Sequence, residues 1–354
     1  MSTATPSVRV GTPVKRKNPI WSFLLRRLLV IPPALLVLIT LSFLLVSLIP
    51  GDPAYLILGD YATPDQVARV HAELGLDQPL LHRYFDYVGA VLQGDLGNSF
   101  TTNQPVMKQI LQLLPNSLVL IIPGILLAVL MGTVIGGIAA YFRRRLPDRL
   151  MSFVITTTQS IPDFFMGLLL TLFLYFELRL APAPIGALST SDVRPPDKTG
   201  SLVIDAIVTG SWGAVGSIAV HAILPVLTLG IFFSSYFAKT VRSSMTQSLA
   251  SPQVEFARAI GLRERTAIRY ASHSARTPIL TFAALLFGSL LGGVAIIETV
   301  FSWPGVGSWA LAGVLKGDIP VIQGFVLFVG ILTLFVYLAL DVLIMALDPR
   351  IRIG

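Results

Sequence analysis

Six stretches of the chain stay apolar for about 20 residues or more, the length a helix needs to cross a bilayer. They predict spans over Leu28–Ile49, Ser117–Phe142, Leu150–Phe176, Ala219–Ala238, Thr277–Val300 and Ile319–Leu347. Long unbroken apolar runs, without the ten-residue alternation of a membrane barrel, make helices the expected form. Span 1 is too long for the apolar core of a secretory signal, and Pro50-Gly51-Asp52-Pro53 is not a small-residue cleavage site.

Between the spans the pattern changes. Thr63-Pro64-Asp65 reads as a helix start, with Val67, Val70 and Leu74 at helical spacing behind it. Leu80–Leu92 is a second amphipathic stretch, so a small helical subdomain is expected over 50–116. The segment from Glu177 to Ile218 is rich in Pro, Gly and Ser and reads as a loop. Lys239–Arg276 is far longer than two adjacent helices need. The spacing of Val254, Ala257, Ile260 and Gly261 predicts short helices there, lying against the membrane face.

Charge orients these elements. Nineteen of the 26 Lys and Arg fall in the N-terminal tail, the segments after spans 2 and 4, and the C-terminus; the alternate loops carry seven. Lys and Arg accumulate on the cytoplasmic side, so both termini are expected there. The resulting division is a basic tail over 1–27, the first span over 28–49 and an external subdomain over 50–116. A permease-like core follows over 117–347, with the cytoplasmic loop 239–276 inside it, and then a short C-terminus over 348–354. The tail is expected to be disordered and held near anionic lipid.

Composition agrees. Hydrophobic residues make up 54% of the 354 and charged residues 13%, about half the share usual in soluble domains. A soluble globular protein is excluded. The absence of cysteine excludes disulfides, thiolate metal sites and a cysteine nucleophile. The net charge of +7 follows from membrane orientation and does not call for nucleic acid.

Several motifs carry a more specific message. Glu255-Phe256-Ala257-Arg258-Ala259-Ile260-Gly261-Leu262 follows the pattern Glu-x-Ala-x3-Gly. His221-Ala222-Ile223-Leu224-Pro225 and Arg242-Ser243-Ser244-Met245 precede it. Glu298-x4-Trp303-Pro304-Gly305-x-Gly307, Asp341 and Asp348-Pro349-Arg350 follow it. Arg26-Arg27-Leu28, Pro50-Gly51-Asp52-Pro53, Leu74-Gly75-Leu76-Asp77-Gln78-Pro79 and Gly94-Asp95-Leu96-Gly97-x-Ser99 come earlier in the chain. In this order and placement they resemble the first permease subunit, dipeptide permease B type, of the dipeptide/oligopeptide/nickel family of ATP-binding-cassette importers.

The resemblance implies an all-α, six-span type I importer permease (MetI-like) fold in a bacterial cytoplasmic membrane. It implies a non-catalytic, pore-forming subunit that moves peptides or related small solutes by alternating access. Implied partners are a second, homologous permease, two ATPase subunits (or one fused), an external solute-binding protein and membrane lipid. ATP and Mg would bind to the ATPases, and this chain would hold no cofactor. No Gly-x4-Gly-Lys-Ser/Thr sequence is present.

Site residues follow. The resemblance assigns the ATPase-coupling loop to Glu255, Phe256, Ala257, Arg258, Ala259, Gly261, Leu262 and Arg263. Gly261 can take positive φ at a tight turn. Ala257 and Ala259 keep the helix thin enough to enter a partner's groove. Ile260 departs from the family, which often has Lys there, so a polar partner contact is lost. Asp163, beside Pro162, places a charge inside span 3 and is a candidate for the solute path or for helix packing. The resemblance makes Glu298 and the Trp303-Pro304-Gly305 turn a pathway-flanking gate; an interfacial turn with an aromatic anchor is the alternative. Gly132, Gly136 and Gly137, with Gly288, Gly292 and Gly293, predict close helix packing. His71, His82, His221 and His273 show no metal spacing. The rival function is a secondary transporter driven by ion gradients, using Asp163 and Glu298 as coupling carboxylates.

Overall fold

A computed structural model describes residues 19–47, 53–58, 62–73 and 77–347. Residues 1–18, Pro50-Gly51-Asp52, Leu74-Gly75-Leu76 and Asp348-Pro349-Arg350 lie outside the described residues.

The described chain is almost wholly helical. It begins with α1 (Pro19–Ser47), α2 (Pro53–Leu58), α3 (Pro64–Glu73) and α4 (Leu80–Leu92). The long α5 (Val106–Tyr141) turns into α6 (Leu146–Ser160) and α7 (Asp163–Leu170), which runs on as a π-helical segment, Thr171–Glu177. After α8 (Leu202–Val208) come α9 (Trp212–Leu249), α10 (Pro252–Ala259), α11 (Glu264–Val300), α12 (Val306–Leu315) and α13 (Ile319–Leu347).

By length and composition, α5, α9, α11 and α13 are each sufficient to cross a membrane, and α6 with α7 makes a fifth candidate. That pair is bent by 103°. The bend falls at Ile161-Pro162, where proline disfavours helix in the preceding residue. Two shorter apolar stretches remain among the described residues, Leu28–Leu44 within α1 and Val306–Leu315, which is α12.

The predicted small helices appear where the local signals lay. Thr63 opens α3: its N–H and hydroxyl both reach Gln66 Oε1, at 2.9 and 3.1 Å. α4 occupies the predicted amphipathic stretch, Leu80–Leu92.

The core lies between α5, α9 and α11. Leu120, Leu224, Leu229, Phe237, Leu290 and Leu291 are all buried there. Two of the predicted glycines set the α5–α9 spacing. A Cβ on Gly132 would meet Phe237 Cβ at 2.8 Å, and one on Gly136 would meet Ala238 O at 2.4 Å. Gly288 faces Thr333 and Tyr337 of α13. Gly137, Gly292 and Gly293 face open space, so close packing is not their role within this chain.

Two further expectations are corrected. Lys239–Arg276 is not a loop of two short helices: α9 and α11 continue far beyond their apolar stretches, leaving α10 alone between them. The segment 177–218 is not all loop, because it contains α8 and the start of α9.

Candidate functional site: a suspended helix, a broken helix and a buried turn

The helix α10 hangs between the ends of α9 and α11. Pro252 occupies its first turn, where a missing N–H costs nothing. Val254 and Ala257 are buried where α10 packs on α9 and α11, and Val254 joins the core that also includes Ala267 and Ala271. Its far end closes in a Schellman turn. Leu262 N–H donates to Ala257 O at 3.1 Å, and Gly261 N–H to Arg258 O at 3.0 Å. Gly261 sits at φ +79, the left-handed region that glycine enters without steric cost. Arg258 then reaches across the turn to Glu264 with two hydrogen bonds, at 2.7 and 3.2 Å.

This burial pattern leaves Glu255, Phe256, Arg258, Ala259, Ile260, Leu262 and Arg263 exposed. Phe256 is 66% exposed and Ile260, four positions on, 56%. Ala257 points the other way. Its small size lets α10 lie on its own chain, which corrects the expectation that it thins the helix for a partner's groove.

A clamp that sequence reasoning missed ties this end together. Arg242 of α9 grips Asp148 at the start of α6, Nε to Oδ1 at 2.7 Å and Nη2 to Oδ2 at 3.1 Å. Arg144 N–H also donates to Asp148 Oδ2, at 2.8 Å, from a residue at φ +65. The pair joins α6, one half of the broken helix, to the helix that carries α10. Arg242 lay in a recognised motif, but nothing in the pattern linked it to a carboxylate 94 positions earlier.

At the break itself, Pro162 precedes the first turn of α7, and Asp163 opens it. Asp163 Oδ1 accepts from Phe164 N–H at 2.7 Å, and the residue is half-buried. It therefore opens a helix at the central break of the fifth candidate span, and its charge meets the positive end of the α7 dipole.

At the opposite end from α10, the chain makes a tight turn between α11 and α12. Glu298 is 0% exposed, wholly enclosed by its own chain. Its Oε1 accepts from the Ser117 hydroxyl of α5 at 2.5 Å, and its Oε2 from Ser308 N–H at 2.7 Å. Ser117 Oγ in turn accepts from Val306 N–H at 2.8 Å. Two orphan donors in the first turn of α12 are thus satisfied from other helices. Gly305 and Gly307 are needed here. A Cβ on Gly305 would collide with the Glu298 carboxylate, and one on Gly307 with the backbone of Ala295.

Trp303 is 1% exposed, and its indole N–H donates to Asn116 O at 2.9 Å. It is a core residue, not an anchor at a membrane surface. Pro304 is exposed, and its carbonyl accepts from Asn116 Nδ2 at 2.8 Å. Glu298, Trp303, Pro304 and Gly305 are thus one structural unit, locked to α5 through Asn116 and Ser117. Neither of those partners was legible in the sequence, because each lies more than 180 positions away.

Another buried carboxylate, Asp318, holds the segment Ser99–Thr101. Asp318 accepts from the Ser99 and Thr101 hydroxyls at 2.6 and 2.8 Å, and from Phe100 and Thr101 N–H at 3.1 and 3.0 Å. Burial alone would raise this carboxyl, but the hydrogen bonds from Ser99, Thr101 and Phe100 prevail and hold it below its ordinary value.

Four long apolar helices and a broken fifth are those of a multi-pass membrane protein. Comparison with known proteins makes this specific. Residues 132–353 match the family described as "Binding-protein-dependent transport system inner membrane component", and residues 20–121 match its N-terminal companion. The chain belongs to this family. It is 36% identical to the Di/tripeptide transport system permease protein DppB of Pseudomonas aeruginosa, over 94% of this chain and 98% of that protein. It is 35% identical to the Probable D,D-dipeptide transport system permease protein DdpB of Escherichia coli, over 89% and 92%. It is 37% identical to the Glutathione transport system permease protein GsiC of Salmonella typhimurium, over 94% and 99%. The chain is a pore-forming permease of a binding-protein-dependent importer in the cytoplasmic membrane, and an ion-driven secondary transporter is not favoured.

Proposed function

We propose that this permease imports di- or oligopeptides, or a related small solute such as glutathione, using ATP hydrolysed by partner subunits. The observation that carries this reading is α10, a short helix with an exposed apolar tip, fixed at one end of the two longest helices. It would sit in a groove of an ATPase subunit, with Glu255, Phe256, Arg258, Ala259, Leu262 and Arg263 at the contact and Gly261 shaping the turn. Ala257 holds the helix to its own chain.

In this reading α1, α5, the α6–α7 pair, α9, α11 and α13 are six spans of a type I importer fold. Both termini and α10 face the cytoplasm, and 50–116 forms an external helical subdomain. A homologous second permease completes the pore, two ATPase domains carry ATP and Mg, and an external binding protein delivers solute. Each ligand biases alternating access only by preferring one state. Closure of the ATPases would reach α6 through α9 and the Asp148–Arg242 clamp. Asp163, at the break, would face the solute route, where its carboxylate favours a free amino group. The unit of Glu298, Trp303, Pro304 and Gly305 would hold the external turn rigid rather than touch solute.

Reconstituted vesicles holding both permeases, the ATPases and the binding protein test this. Uptake that needs internal ATP and the binding protein supports the proposal. Uptake driven by an ion gradient without ATP would refute it.

A further inference from the structure

The helix α4 has three chemically different sides. At about 100° per residue, Leu81, Phe85 and Leu92 fall on one stripe. They are 72%, 67% and 76% exposed. Tyr84 and Tyr87 lie to one side of this stripe and face α1. The Tyr84 hydroxyl meets Thr40 Oγ1 at 2.8 Å, the Tyr87 hydroxyl meets Ser42 Oγ at 3.2 Å, and both rings pack on Phe43. On the other side are His82, Asp86 and Gln93, with His82 and Asp86 paired at 2.8 Å.

The height of α4 is fixed by its neighbours. Ser42 Oγ also donates to Gln323 O of α13, at 3.4 Å. Asp318, five positions before Gln323, stands just ahead of the apolar run of α13. At about 1.5 Å per residue, α4 therefore meets α1 roughly 7 Å below the level of Asp318. Helices that lie in a membrane surface bury their apolar side to about 5–10 Å. The apolar surface around α4 is also continuous: Leu36, Val37, Leu41 and Leu44 of α1 are exposed beside it. Contacts between the two helices gather within Thr40–Phe43 and Tyr84–Tyr87, as expected where one helix crosses another.

We propose that α4 lies along the outer leaflet, with Leu81, Phe85 and Leu92 dissolved in lipid acyl chains and His82, Asp86 and Gln93 facing water. The adjoining segment Asp95–Thr101, tied to Asp318, is then held at a fixed height above the bilayer. Placement in the outer leaflet rests on the orientation proposed above; lipid contact does not.

The chain has no cysteine, so a single thiol can be placed without background from the chain itself, with partner subunits prepared free of cysteine. Spin labels at Leu81→Cys, Phe85→Cys and Leu92→Cys, in the full complex in phospholipid nanodiscs, should relax several-fold more with oxygen than with a water-soluble nickel chelate. Labels at His82→Cys and Gln93→Cys should show the reverse. Stripe labels open to the nickel chelate would overturn the proposal in favour of water. Stripe labels shielded from both reagents would overturn it in favour of a covering protein. Separately, a membrane-impermeant maleimide should label Gln93→Cys in spheroplasts with the outer membrane removed. Labelling only after permeabilisation would refute the orientation while the relaxation data still decide lipid contact.

Discussion

The hydroxyl of Ser117 donates to the buried carboxylate of Glu298 and accepts from the N–H of Val306, so two residues 181 positions apart together cap α12. A carboxylate so enclosed serves as an acceptor for fixed donors. Glu298→Gln turns an acceptor into a donor opposite either the Ser117 hydroxyl or the Ser308 N–H. Unsatisfied buried groups cost about 1–3 kcal/mol each. The variant should lower the thermal stability of the purified complex, while the remaining folded fraction keeps its solute preference. Unchanged stability with altered preference would place Glu298 on the solute route instead.

The α5–α9 contact gives a paired test. Gly136 lies against the α9 backbone, whereas its neighbour Gly137 faces open space. Gly136→Leu should force the helices apart, at a cost of about 1–3 kcal/mol or more. Gly137→Leu should be nearly neutral within this chain. Yield and melting temperature of the two purified variants provide the comparison.

Asp318 has a pH signature. Its folded carboxyl lies below its unfolded value, so the stabilisation is complete above the unfolded value. It is lost as pH falls through the lowered folded value. Protease resistance of the Ser99–Thr101 segment should therefore persist through mildly acid pH and fail only below the usual carboxylate range. In Asp318→Asn that segment should be cleaved readily at neutral pH.

Asp163 opens α7 at a bend of 103°. Asp163→Asn keeps the size and can still accept from Phe164 N–H, but removes the charge. Competition assays should show weakened import of solutes with a free amino group and little change for N-acylated analogues. Unchanged selectivity would assign Asp163 to helix packing.

Much of the local architecture was written in the sequence. Thr63-Pro64-Asp65 marked the start of α3, and Leu80–Leu92 delimited α4. Hydropathy misjudged Lys239–Arg276 for a physical reason. It reports where the apolar side chains end, whereas α9 and α11 close their own backbone hydrogen bonds and continue past that point. The turn at Gly261 was legible because a Schellman turn is local and calls for a residue that can take positive φ. Which side of α10 faces inward was not, since Ala257 and Ala259 look alike until α9 and α11 are in place. The partners of Glu298, Asp148 and Asp318 were hidden for the same reason: Ser117, Arg242 and Ser99 are distant in sequence and become neighbours only through helix packing.

The central claim is that α10 passes ATPase motion to the permease. Gly261→Arg tests it most directly. The wild-type Cβ position is sterically open, so the cost is confined to a left-handed backbone, about 1–2 kcal/mol, and to a bulky charge at the turn. ATP hydrolysed and solute accumulated should be measured together in proteoliposomes holding the complete transporter. The account predicts an assembled complex whose ATP hydrolysis no longer drives uptake. Uptake per ATP equal to that of the wild type would contradict it.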